Sequence, residues 1–335
     1  MEIKYKYILV YIFMKFCVYV RMYNDEPFID FFIEYYLRLG FDKIIILNSS
    51  NNGYTDLNKQ VIIHKIPFEH PINLFMNYIH LVESCSFCNW VLPVDTDEFL
   101  ILNNKYNTIK EFVEDKLKMN SEINVFQFRW LMIEKMDNEI CNFKDIIKNY
   151  KKYSNQHIKS MTKISDIKSL TEHHTILNKK AVVFLENKCI NKLSPIHAIT
   201  PNSYSDSILL HIHTRSIDDI VLKALTRKFY GHQIKSIETF KHIISKPIDL
   251  NTFKNTIGAK AGLPFAHSSN FSNNTAIISN DTFNIPNIQI DFVKKSFADS
   301  LLRNALNKHN INYNQYRIYI EQLIKKINEL YNIKD

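Results

Sequence analysis

Glycine is nearly missing from this chain, with five in 335 residues. A backbone loop that wraps a phosphate needs glycine, because only a residue without Cβ lets the main chain close on the anion. Neither G-x-G-x-x-G nor G-x-x-x-x-G-K occurs, which excludes the two commonest nucleotide-binding loops. Long apolar runs are missing too. Residues 7–14 are apolar and closed by Lys6 and Lys15, far short of the roughly 20 residues that a membrane-crossing helix needs. No small-residue cleavage site follows, so the segment lacks the form of a signal peptide. It reads as a short apolar leader before a first core strand. A cytoplasmic chain is expected, with membrane association through the leader left open.

Cysteine is sparse and odd in number: Cys17, Cys85, Cys88, Cys141 and Cys189. Cys85-x-x-Cys88 has metal or redox spacing, but no second pair stands at zinc-finger distance. Buried thiols in reduced surroundings are expected. Acid is the minority charge, 34 Asp and Glu against 42 Lys and Arg, for a net +8. That balance suits an anionic partner, although a Lys-rich composition produces it unaided. No basic block with interleaved aromatics stands out, so nucleic acid is not an expected partner.

What the chain does have is apolar mass, 46% hydrophobic and 13% aromatic, enough to bury a substantial core. Over the first hundred residues the pattern alternates. Residues 16–20 read as a strand, and Pro27 opens a helix over 28–39 that stops at Gly40. Residues 43–47 and 61–66 read as strands, 73–84 as a helix and 90–94 as a strand. Such alternation predicts an α/β fold, a mostly parallel sheet flanked by helices, with ligands at the carboxyl ends of the strands. Residues 10–235 are expected to form this domain. Residues 236–335 are expected to form a loop-rich and helical extension, with helical periodicity over 291–307 and 313–330 and a possible homo-oligomer contact through those helices.

The 90–94 strand runs into Asp95-Thr96-Asp97-Glu98. With 18 Asp in the chain, about one Asp-x-Asp arises by chance, so the spacing alone decides nothing. Its position does: on an extended backbone, residues i and i+2 share a side. Two hard carboxylate ligands at a strand end would suit Mn²⁺ or Mg²⁺ against a nucleotide diphosphate.

Four blocks together resemble the family-2-like glycosyltransferases, closest to the family 92-like branch. The first is Val20-Arg21 with Asn24-Asp25-Glu26-Pro27. The second runs from Leu39-Gly40-Phe41-Asp42 to Asn48-Ser49-Ser50 and Asp56. The third is residues 90–99, and the fourth comprises Lys159-Ser160-Met161-Thr162-Lys163 and Leu210-His211-Ile212-His213-Thr214-Arg215-Ser216. Two positions depart from the family pattern, Asn48 in place of a common Asp and Ile212 in place of Tyr.

The resemblance implies a GT-A fold and metal-dependent sugar transfer from a nucleotide sugar, a UDP-sugar above others, to a glycan, protein or lipid hydroxyl, with inversion. It implies Asp95, Asp97 and His211 as metal ligands. Arg21, Asn24, Glu26, Asn48, Asp95, Lys159, Lys163 and Arg215 are the implied donor contacts. For the general base, Glu134, Asp137, Glu172, His173 and His174 are candidates, with the Glu172-His173-His174 cluster ahead. Trp130 is a candidate lining residue. A nucleotidyltransferase or phosphohydrolase using the same Asp-x-Asp, or a non-catalytic carbohydrate-binding protein, are the alternatives.

Overall fold

In the computed structural model, residues 14–50, 54–56, 58–66, 88–134, 142–150, 152–170, 175–185, 187–191, 193, 206–226, 237–249, 252 and 283–331 are described. The helix expected over 73–84 lies outside them. Strand β1 (Phe16–Met22) is buried along its whole length except at Arg21, as a strand covered on both faces must be. It is followed by helix α1 (Glu26–Arg38), with Pro27 and Glu26 in its first turn. Strands β2 (Lys43–Asn48), β3 (Val61–Lys65) and β4 (Trp90–Asp95) come next. The pairs β1–β2, β2–β3 and β1–β4 are all parallel.

α1 ends where the sequence places its stop. Gly40 takes φ +93°, and its N–H and that of Phe41 donate to the Leu37 and Tyr36 carbonyls, each at 3.0 Å. A Cβ on Gly40 would lie 3.0 Å from Cβ of Thr108, the residue that caps helix α2 (Ile109–Met119) by accepting from the Glu111 N–H. The inner face of α1 packs on strand β5 (Glu98–Asn103). Phe31, Phe32 and Tyr35 gather round Phe99 with ring centroids 5.8, 6.1 and 5.1 Å away.

The sheet is completed by β6 (Val125–Glu134), β7 (Lys152–Lys163) and β12 (Ser207–Thr214), with β7 antiparallel to β4 and β12 antiparallel to β5. Between the last two come the two-stranded sheet of β8 (Ile167–Leu170) and β9 (Thr175–Leu177), and the hairpin of β10 (Val183–Leu185) and β11 (Lys188–Ile190), which joins β6. With β13 (Phe283–Asn284) at the edge, the strand order is β13-β5-β12-β6-β7-β4-β1-β2-β3. This α/β architecture, a central sheet flanked by helices, is consistent with a GT-A-like nucleotide-binding domain.

The chain divides into two compact units, one of Met1–Met132, Ser154–His211 and Ala276–Asp291, the other of Ile133–Tyr153, Ile212–Thr275 and Phe292–Asp335. The second unit contains helices α3 (Phe143–Asn149), α4 (Ile217–Thr226), α5 (Ile237–Ile244), α6 (Lys295–Lys308) and α7 (Tyr313–Tyr331). Its core includes Val221, Phe240, Leu306, Tyr316 and Leu323. In the same unit Arg317 pairs with Asp299 at 2.8 Å and with Asp218, which also accepts from the Tyr316 hydroxyl at 2.7 Å.

The cysteine expectation needs correction. Cys17 and Cys88 are paired as a disulfide, with Cα atoms 6.1 Å apart, and Cys189 is exposed. The β1–β4 register sets Cys17 beside Val91, three positions from Cys88. Strand pairing, invisible to local spacing, brings the two together.

Candidate active site

The parallel ladder between β1 and β4 ends with Arg21 opposite Asp95, so a cation and a carboxylate arrive side by side at the carboxyl edge of the sheet. The Asp95 side chain is 28% exposed. β7 runs antiparallel to β4, with Lys163 opposite Trp90; four residues earlier on the same strand, Lys159 reaches the other end of β4. Its Nζ, buried, donates to Oδ2 of Asp95 at 3.0 Å and lies 3.4 Å from Oε2 of Glu98.

Asp97 is not on an extended backbone, as the sequence suggested. β4 stops at Asp95, and Thr96-Asp97 form a two-residue turn into β5. The turn is closed by the Asp95 N–H, which donates to Oε2 of Glu98 at 2.8 Å. β5 then pairs with β12 in a register that sets Glu98 opposite His211. As a result Nε2 of His211 is 3.4 Å from Oδ1 of Asp97.

Behind the imidazole lies Trp130, meeting it edge-on with centroids 4.3 Å apart. The same indole stacks on His157 at 4.9 Å, and Nζ of Lys159 sits 5.9 Å from its ring centre. Trp130 is therefore enclosed by its neighbours rather than offered as an open stacking surface.

The surroundings push the carboxyls apart in acidity. Burial would raise Asp95, but Lys159, with help from Arg21 and against the repulsion of Asp97, holds it below the ordinary carboxylate range. Burial dominates at Glu98 and raises it well above that range, with Lys159 only partly opposing. Unequal environments of this kind mark candidate functional sites.

Of the residues singled out from the sequence, Arg21, Asp95, Asp97, Lys159 and His211 are brought together. Asn48 is buried and its Oδ1 accepts from the Ser50 N–H at 2.8 Å, a local turn that engages the side chain. Asn24 sits at φ +57° and donates its N–H to the Ser50 hydroxyl at 2.8 Å. Glu26 is buried in the first turn of α1.

Lys163 lies over the Trp90 ring at 5.4 Å, at the opposite end of β4 from Asp95. At about 3.3 Å per residue the two ends are roughly 17 Å apart. Arg215 is ion-paired with Asp219, Nε to Oδ2 at 3.1 Å and Nη2 to Oδ1 at 3.2 Å.

Asp137, Glu172, His173 and His174 lie outside the described residues, as do the side chains of Glu134 and His213. Glu98 and His157 were missed as site residues. Glu98 directly follows Asp97, and His157 stands two positions from Lys159 on one strand, hence on the same face.

Asp95 and Asp97 offer hard oxygens to a divalent cation, and the Arg21 guanidinium and Lys159 ammonium beside Asp95 offer positive charge to a phosphate. Among the described residues no three His, Cys, Asp or Glu side chains converge as a ready metal cluster, and no helix is long and apolar enough to cross a membrane.

No protein-family model matches the chain, and no curated protein matches it. Among solved structures, S. aureus TarS 1-349 is similar over 45% of this chain and 48% of that one, at 17% identity and a TM-score of 0.27. The same protein in complex with UDP-GlcNAc is similar over 52% and 60%, at 16% identity and 0.27. A197 from STIV is similar over 57% and 100%, at 11% identity and 0.25. The chain thus spans about half the length of the first TarS chain it matches. Function has to be argued from the site, not from these likenesses.

Proposed function

We propose that the protein is a metal-dependent glycosyltransferase that moves a sugar from a nucleotide sugar, a UDP-sugar by preference, to a hydroxyl of a glycan, protein or lipid, with inversion. The observation that carries this is the ladder end where Arg21 meets Asp95, with Lys159 on the same carboxylate and Asp97 beside His211.

The donor set fits Mn²⁺ or Mg²⁺. Asp95 is partly exposed, and no described residue donates a hydrogen bond to its Oδ1. The oxygens are hard ligands suited to such a cation. Asp95 and Asp97 would hold it, with His211 as a third group. When bound, the cation would neutralise charge growing on the leaving diphosphate.

Arg21 and Lys159 act on the same charge by hydrogen bonding to the phosphate oxygens. His211 holds Asp97 in place, and Trp130 holds His211. The acceptor hydroxyl loses its proton to a base in the Glu172-His173-His174 segment.

Incubation with UDP-sugars and nucleoside triphosphates, with and without Mn²⁺, tests the proposal. Release of UDP without pyrophosphate is the expected result. Pyrophosphate release would mean nucleotidyl transfer, and the absence of any Mn²⁺-dependent stabilisation by UDP or its sugars would remove the donor class.

A further inference from the structure

We propose that Glu98 is a positioning residue of this site, fixing the Asp95–Asp97 turn from behind; the role rests on the function proposed above. Its carboxyl has no solvent exposure, and burying such a group costs several kcal/mol unless it is matched by partners. Were packing all that the position required, an apolar side chain of similar size would serve the fold at least as well. Its hydrogen-bonding capacity is not spent on general cohesion either, since Oε1 has no hydrogen-bond partner among the described residues.

What Glu98 does touch is the Asp95 main chain and the ammonium that holds the Asp95 side chain. Oε2 accepts the Asp95 main-chain N–H at 2.8 Å. The same oxygen lies 3.4 Å from the Lys159 ammonium, whose other carboxylate partner is Asp95 Oδ2 at 3.0 Å. Glu98 thereby holds the Asp95 backbone directly and its side chain through Lys159.

Glu98 is itself immobilised. Its carbonyl accepts from the Tyr36 hydroxyl at 2.9 Å, that hydroxyl accepts from the Leu100 N–H at 3.3 Å, and the β5–β12 register sets it against His211. Asp97, held between two fixed neighbours, has its carboxylate aimed by a turn that Glu98 closes. Glu98 needs no contact with substrate to matter.

The test compares Glu98→Gln, which keeps an oxygen for the Asp95 N–H, with Glu98→Asp, whose shorter arm withdraws it, and Glu98→Leu, which abolishes it. Two readouts are taken on the full chain: hydrogen exchange at the Asp95 amide without ligand, and affinity for UDP in Mn²⁺. Glu98→Asp and Glu98→Leu are expected to lose Asp95 protection and UDP affinity by about tenfold or more, as residues that orient ligating groups do. Amides of β1 and β2 should keep their protection, and Glu98→Gln should stay within about threefold of wild type in both readouts.

The role is overturned if Asp95 protection survives in Glu98→Asp, if it falls only in step with every other strand, or if Glu98→Gln fails as badly as Glu98→Leu. Wild-type protein that does not bind UDP with Mn²⁺ would instead sink the proposed function, while the exchange result would still decide whether Glu98 holds Asp95.

Discussion

Two carboxylates in this protein are matched very differently. Asp219 is closed off: both oxygens meet the Arg215 guanidinium, Lys223 adds a third contact at 3.0 Å, and its side chain is 3% exposed. Asp95 shares its one ammonium with Glu98 and keeps 28% exposure. It is one of three acids within four positions, facing Lys159, Arg21 and an imidazole. A buried ion pair supports a fold only when its geometry is complete. The Asp219 carboxylate is matched on both oxygens; the Asp95 carboxylate is matched less fully and keeps exposed acceptor capacity. Arg215, a donor contact implied by the resemblance, is here the partner of Asp219.

The largest effect expected from this contrast is on stability. Asp219→Ala leaves the buried Arg215 without its carboxylate and should cost about 3–5 kcal/mol in chemical denaturation; a cost below about 1 kcal/mol would break the contrast. Asp97→Ala should reverse the pattern. Turnover of a nucleotide sugar is expected to fall by about 10²–10³-fold, with stability kept within about 1 kcal/mol, which a turnover assay and a denaturation curve on the same preparation would show.

Acidification sharpens the Asp219 side. Burial raises the Asp219 pKa, but Arg215 and Lys223 outweigh it and hold the group below its ordinary value. Its stabilisation is therefore full above the unfolded pKa of about 3.9 and lost as pH falls through the lower native value. Denaturation midpoints from neutral to strongly acidic pH should drop less steeply in Asp219→Asn than in wild type; identical slopes would count against the pairing.

The smallest effect belongs to Lys163→Ala, which loses a cation–π contact worth about 0.5–1 kcal/mol and should change turnover by less than about threefold. Lys159→Ala, four residues away, should abolish it. A turnover assay on the two variants side by side is the check.

Why the sequence located one end of this site better than the other follows from range. Strands β1 to β4, the α1 stop at Gly40 and the helices that became α6 and α7 are written in local periodicity and turn chemistry, and their ends fall within a few residues of expectation. The Thr96-Asp97 turn was misread because an apolar strand ending in polar residues looks the same whether the chain continues straight or bends. Lys163 and Lys159 were indistinguishable on paper. Only the β4–β7 register shows that one reaches the carboxylates and the other the far end. The Cys17–Cys88 pair, the Trp130–His157 stack and the place of Glu98 depend equally on cross-strand neighbours that one chain read in order does not display.

The β5–β12 ladder also bears on how the protein comes into being. It joins residues 98 and 211, while the β1–β2 pairing joins residues fewer than thirty apart. Contacts that close a longer loop carry a larger entropic cost and form more slowly. During synthesis the three acids emerge from the ribosome well before Lys159 and His211. The nascent chain therefore carries an acidic turn with Arg21 as its one early site cation until the last site strand arrives, and pulse-labelled refolding should show the Glu98–His211 ladder gaining protection after β1 and β2.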